Sequence, residues 1–204
     1  MTRISLLAAA SAFTLSMGLT AAAASPAGPY ASGEAGASFM PDQDLTHTPI
    51  GTVNESLDTG YAFGGALGYD FGNGLRVELE SLTTRADVNG LNGTPAGGHV
   101  DATGLMLNGK YDLMPESRTT PYVGVGLGFQ SVGAKVAGLN GQNWEPAYQL
   151  EAGLQHQLSN KVSLFGEYRY VQSEANTISG GGISAHQHFS DNALLAGVTY
   201  HFGE

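Results

Sequence analysis

Residues 61–80 read YAFGGALGYDFGNGLRVELE, and their alternation decides the fold. The odd positions Tyr61, Phe63, Leu67, Tyr69, Phe71, Leu75, Val77 and Leu79 are apolar, while the even positions are small or charged and include Asp70, Arg76, Glu78 and Glu80. A period of two with unlike faces marks β-strands, because successive side chains leave the pleat on opposite sides. Parity also selects the turn. A two-residue Asn73-Gly74 loop would set Phe71 against Arg76 and mix the faces. A three-residue loop, Gly72-Asn73-Gly74, sets Phe71 against Leu75, Asp70 against Arg76 and Leu67 against Leu79. It also leaves Gly74 for the left-handed position such a loop needs. The stretch is therefore predicted to be a hairpin with one greasy face and one small, charged face.

The chain has 204 residues, of which 30 are glycine, 13% are charged and none is cysteine. Its length suits one domain, and the missing cysteine excludes disulfides and a lipid-modified N-terminal cysteine. Residues 1–24 form a secretory signal pattern: Arg3 supplies the positive region, Ile4 to Leu19 the apolar core and Ala22-Ala23-Ala24 the cleavage site. The mature chain, residues 25–204, would lose one basic residue and keep all 18 acidic ones. Such a surface disfavours nucleic acid. No run of eighteen apolar residues follows the N-terminus, so no helix is expected to span a membrane.

Six further strands and four polar loops surround the reading of residues 61–80. A first strand is predicted over 30–39, followed by a loop over 40–60. The hairpin supplies strands two and three, and residues 81–101 form another loop. Strand four covers 103–113, strand five 121–132, strands six and seven 147–158 and 162–171, and strand eight 192–202. The segments 133–145 and 173–191 complete the loops. A three-residue turn at Ser159-Asn160-Lys161 sets Leu158 against Val162 and Glu151 against Arg169. The connections thus alternate long and short, as in an up-and-down barrel crossing a bilayer with both termini inside. About ten residues per strand also suffice to cross the hydrocarbon at a tilt.

Alternation by itself does not say which face is outside. The interior of an eight-stranded barrel is only just wide enough for side chains. The charged face is the one rich in Gly, Ala and Ser, and the large residues lie opposite. The aromatics of the apolar face also gather near strand ends, with Tyr69, Phe71, Tyr111, Tyr200 and Phe202 at the inner end and Phe129 and Tyr170 toward the outer end, as lipid-interface girdles do. The fold expected is an all-β, eight-stranded antiparallel transmembrane barrel. Its lumen then holds Glu34, Asp70, Arg76, Glu78, Glu80, Lys110, Asp112, Glu151, Glu167 and Arg169. This cluster reads as a salt-bridge core filling a narrow barrel, with an ion path as the alternative. Seven acids against three bases predict that any leak is cation-selective, and Asp70–Arg76 and Glu151–Arg169 are placed to pair across strands.

The end of the chain, Gly197-Val198-Thr199-Tyr200-His201-Phe202, resembles the C-terminal signal by which outer-membrane barrels are recognised for insertion, carried by Gly197, Tyr200 and Phe202. Residues 121–129 (PYVGVGLGF) and 167–170 (EYRY) are similar to stretches of the OmpA-like and opacity-type family of eight-stranded outer-membrane barrels. Gly203, Glu204 and Leu195 depart from its usual ending. The resemblance covers residues 30–202, the barrel alone, so a peptidoglycan-binding role does not carry over. It implies an outer-membrane location in a Gram-negative-type bacterium and insertion by the barrel-assembly machinery. Its expected partners are outer-membrane lipid, lipopolysaccharide and an extracellular ligand or host surface.

Other chemistry is weaker. The Gly124, Gly126, Gly128 run could suggest a phosphate loop, but no helix signal follows it. His188 and Ser190, two residues apart, would share a face of an extended segment, where an imidazole could activate the hydroxyl. Residues 186–192 also look similar to the His-x-Ser-Asn stretch of outer-membrane lipid A deacylases, although no convincing third carboxylate follows except Glu204. His186 and His188 with His47 and His99 make only a partial metal site. The expected outer loops carry Asp42, Asp44, Glu55, Asp58, Asp87, Asp101, Glu145, Glu174 and Asp191 against Arg85 and Lys135, so divalent cations could bridge them to lipopolysaccharide phosphates. Trp144 reads as an interfacial anchor. The expectation is a non-catalytic protein without cofactor or resident metal. The alternatives are a narrow cation channel and a lipid A-modifying hydrolase using His188 and Ser190.

Overall fold

The computed structural model describes residues 27–39, 44–45, 53–54, 59–88, 98–135, 142–180 and 183–202. The expected leader over residues 1–24 lies outside them. Eight strands close into an antiparallel barrel: β1 (Gly28–Phe39), β2 (Gly60–Asp70), β3 (Leu75–Val88), β4 (Gly98–Asp112), β5 (Thr119–Lys135), β6 (Gln142–Gln157), β7 (Val162–Gly180) and β8 (Ile183–His201). Each strand pairs with its sequence neighbours, and β1 closes the ring against both β2 and β8, with Glu34 opposite Gly64 and Gly197.

The parity of the first hairpin is realised in the register. Asp70 faces Arg76, Leu67 faces Leu79, and the Phe71 N–H donates to the Leu75 carbonyl at 3.0 Å. Gly72 and Gly74 take φ of 72° and 90°, a region costly for residues with a Cβ. At the other tight hairpin the Leu158 N–H donates to the Val162 carbonyl at 2.9 Å, and Glu151 faces Arg169. The turns 71–74, 113–118 and 158–161 lie at the same end as Ala27 and Phe202. This is the inner end by the rule that barrels keep short turns in the periplasm.

Three segments expected as outer loops are largely ladder instead. β3 and β4 continue pairing to Val88 opposite Gly98, β5 and β6 to Gly133 opposite Gln142, and β7 and β8 to Gly180 opposite Ile183. The predicted alternation of long and short connections consequently fails in the second half of the chain, where β7 and β8 are separated only by residues 181–182. The expected loop over 40–60 itself contains a short ladder of Asp44–Leu45 with Val53–Asn54. The physical reason is common to all four. A strand projecting beyond the bilayer meets water on its outer face, so backbone pairing continues where apolar alternation has stopped.

The outward face is a band of bare apolar side chains, with Leu67, Val125 and Leu127 67%, 61% and 71% exposed. Aromatic pairs flank it. Tyr69–Phe71 and Tyr200–Phe202 pack at 5.1 and 5.3 Å between centroids at the inner end, and Tyr61–Phe63 and Tyr148–Tyr170 lie toward the outer end. Trp144 is exposed beside Ser131 at the same outer level.

Three large aromatics nevertheless point inward: Tyr30, Tyr122 and Phe165. Each lies directly across the ladder from a glycine, namely Gly68, Gly153 and Gly197. A Cβ on Gly68 would sit 2.6 Å from the Tyr30 hydroxyl and 2.8 Å from its Cε2, so the ring occupies the space a side chain would take. Gly68→Ala is therefore expected to destabilise the barrel by about 1–3 kcal/mol, the range for overpacking. In a Tyr30→Ala background the same change should cost much less, and a double-mutant cycle in urea measures the difference.

Candidate functional site: the charged lumen

Charged residues enter the barrel because their positions share parity with glycine, alanine and serine, which are small enough to leave them room. All ten expected lumen residues are buried, from Arg169 at 0% to Glu34 at 9% exposed. Three cations organise them. Arg169 lies against Glu167, Glu80 and Glu34 at 2.5, 2.6 and 3.1 Å, with Glu151 at 3.7 Å. Lys110 contacts Glu78, Glu167 and Glu151 at 2.9, 3.1 and 3.2 Å. Arg76 pairs with Asp112 at 2.6 Å and approaches Glu78 at 3.9 Å. Glu78, Glu151 and Glu167 each serve two cations, so all of the set except Asp70 forms one connected network.

One expected pair is different. Asp70 and Arg76 are register neighbours, but the guanidinium turns to Asp112 and to the Gln155 side-chain oxygen at 3.0 Å. Asp70 Oδ1 instead accepts the Gly72 N–H at 2.7 Å, tying the carboxylate into the turn. The other expected pair, Glu151–Arg169, is present but longer than the contacts of Arg169 with Glu167 and Glu80.

Neutral residues complete the network, and sequence reading passed over them. Tyr30 donates to Glu78 at 2.6 Å and Tyr122 to Glu167 at 2.9 Å. Asn108 donates to Glu80 at 2.8 Å, and Gln149 to Asn108 and Glu151 at 2.8 and 2.7 Å. Arg76 lies over the Tyr122 ring, 4.8 Å from its centroid. All of these share the parity of the charged residues, so face alone could have found them. The glycine run of β5 is explained by the same crowding. A Cβ on Gly126 would meet Gln149 Cγ at 2.7 Å, and one on Gly128 would meet Met106 Sδ at 2.8 Å. The run is lumen wall, and the phosphate-loop reading is discarded.

Toward the outer end the lumen changes character. The next inward position after Glu80 is Leu82, after Asn108 Met106, after Gln149 Ala147 and after Arg169 Val171. These pack with Ala62, Ala193 and Leu195 in two small apolar clusters. Beyond them polar residues return, and Ser38 donates to Asp191 at 2.6 Å. Asp191, expected as a loop acid, is thus an inward residue of β8, only 3% exposed. Asp87, Asp101, Glu145 and Glu174 also belong to strands, and Asp101 pairs with Arg85 at 3.1 Å on the outward side.

A family model for the outer membrane protein beta-barrel domain matches residues 5–202. The chain belongs to that family. An outer membrane protein of Gluconacetobacter diazotrophicus is 35% identical over 135 residues, covering 56% of this chain and 36% of the relative. The chain therefore matches little more than a third of that relative's length. Among solved structures, OprG of Pseudomonas aeruginosa superposes with a TM-score of 0.62 at 16% identity, covering 89% of this chain and 99% of that one. Neisserial surface protein A gives 0.59 at 18% identity over 85% of this chain and 97% of its own. At such identities the likeness is one of fold.

In this outer-membrane barrel the residues expected as an insertion signal lie on the last strand and just after it. Gly197 lies under the Phe165 ring, and Tyr200 and Phe202 are exposed at the inner rim. Ser190 is half-buried in β8 opposite Gln172, and the register slips between Gln187 and Phe189. That slip falls on His188, whose side chain is not among those described. His47 lies outside the described residues. Among the described residues no group of three or more His, Cys, Asp or Glu is placed to hold a metal ion.

Proposed function

We propose that this outer-membrane barrel has a non-catalytic structural and surface-interaction role. It supports the membrane and presents its outer strands and connections to lipopolysaccharide or to a host or environmental surface. In this reading residues 1–24 are a cleaved leader, and the barrel-assembly machinery inserts the chain through its C-terminal strand. The observation that carries the proposal is the filled lumen: ten buried charged groups, three inward aromatics and the apolar clusters above them share a narrow interior.

Planar-bilayer recording tests it. Purified protein is expected to give no unitary conductance above the lipid background. A narrow cation channel is the second reading, supported by the excess of seven acids over three bases among those ten groups, and unitary events with cation selectivity would establish it instead. Anion selectivity would contradict both. Lipid A from overexpressing cells is expected to keep its mass spectrum. An acyl loss abolished by Ser190→Ala would replace the non-catalytic reading with a hydrolase.

A further inference from the structure

Each strand ends at the inner mouth with one last inward-facing position: Gly28, Asp70, Arg76, Asp112, Thr120, Gln157, Ser163 and His201 on β1 to β8. Together they make a closed ring. Asp70, Arg76, Gln157 and His201 are 2%, 3%, 6% and 1% exposed, yet five of their polar atoms have no hydrogen-bond partner within the protein. These are Asp70 Oδ2, Arg76 Nε, Gln157 Oε1 and both ring nitrogens of His201. The His201 ring is not displaced from the lumen, since its centroid lies 5.4 Å from that of Tyr30. Buried polar atoms in native proteins are nearly always satisfied, and four residues of one ring with unpartnered atoms point to a bound species.

The donor and acceptor types identify that species. Arg76 Nε and one imidazole nitrogen donate; Asp70 Oδ2, Gln157 Oε1 and the other imidazole nitrogen of a neutral His201 accept. A metal cation would satisfy only the acceptors, and an anion only the donors. Water serves both. Gly28 contributes no side chain to the ring, and Thr120 and Ser163 contribute only small ones. A buried water needs two to four polar neighbours, and this ring supplies them. On the outer side of the network Leu82, Met106, Ala147, Val171 and Leu195 offer water nothing to bond.

We propose that the inner ring is a hydration site, holding a cluster of ordered waters admitted from the periplasmic end, and that the apolar clusters stop this water. The inference rests on the barrel's geometry and is independent of the role proposed above. Water-edited solid-state NMR of labelled wild-type protein in lipid bilayers tests it. Arg76 Nε and the His201 ring nitrogens should receive water polarisation several-fold faster than the side chains of Leu82, Met106 and Leu195. Equal, slow transfer to both sets would overturn the proposal, and so would equal, fast transfer. A second measurement gives an opposite sign for the two cases. In a wet ring, His201→Phe combined with Gln157→Met expels water that Arg76 and Asp70 need and lowers the urea midpoint. In a dry ring the same pair removes unsatisfied groups and raises it.

Discussion

Arg169→Met is expected to lower barrel stability by about 3–5 kcal/mol, the cost of breaking a buried ion pair by removing one member. The measurement is urea unfolding in lipid vesicles, followed by loss of the folded, heat-modifiable band. The size follows from what remains. Arg169 is wholly buried among Glu34, Glu80, Glu151 and Glu167. Lys110 still neutralises Glu151 and Glu167. No other cation salt-bridges Glu34 or Glu80 among the described residues, and an uncompensated buried carboxylate in a narrow lumen is expensive. The triple variant Arg169→Met, Glu34→Gln, Glu80→Gln should therefore recover most of the loss. If the triple variant were as unstable as the single one, packing of the Arg169 stem would explain the effect and the electrostatic account would fail.

Leu127→Arg is expected to cost about 2–4 kcal/mol in a bilayer, as for a cation at the hydrocarbon midplane on the lipid face of a barrel. Leu127 is 71% exposed in mid-strand on β5, so nothing within the protein penalises the change. On a water-facing surface the same substitution would fall within about 0.5 kcal/mol of neutral. Met114→Lys, at an exposed position of the inner turn 113–118, supplies the control and should be nearly silent. Urea titrations of the two variants in the same vesicles decide the matter. A silent Leu127→Arg would remove the apolar band from the membrane.

Legibility followed the environment of each residue. Where one face meets lipid and the other a packed lumen, alternation is forced, and the hairpin from Tyr61 to Glu80 could be registered residue by residue. Beyond the bilayer the two faces become alike. Ser173 to Asp191 therefore reads as polar loop, although β7 and β8 pair through nearly all of it. Asp191 shows the same limit from inside, since its parity with Ala193 and Leu195 was available but its polar neighbours suggested solvent.

The candidate site divided in a similar way. Parity assigns Glu34, Glu80, Glu151, Glu167 and Arg169 to the lumen, but it does not say which of them touch. The hairpin register alone would pair Arg76 with Asp70. Arg76 turns instead to Asp112 on its other neighbour, β4, and in the closed barrel Arg169 on β7 reaches Glu34 on β1 and Glu80 on β3.

By itself the sequence determined the strand faces, the two tight turns and the inward set of charges, because these depend on period and on local backbone geometry. Only the tertiary structure decided the partners of those charges, the apolar clusters beyond them and the polar ring at the inner mouth. The contacts that knit these together require closure, which sets side chains from non-adjacent strands, such as Arg169 with Glu34 and Glu80, against one another across a lumen that no stretch of sequence contains.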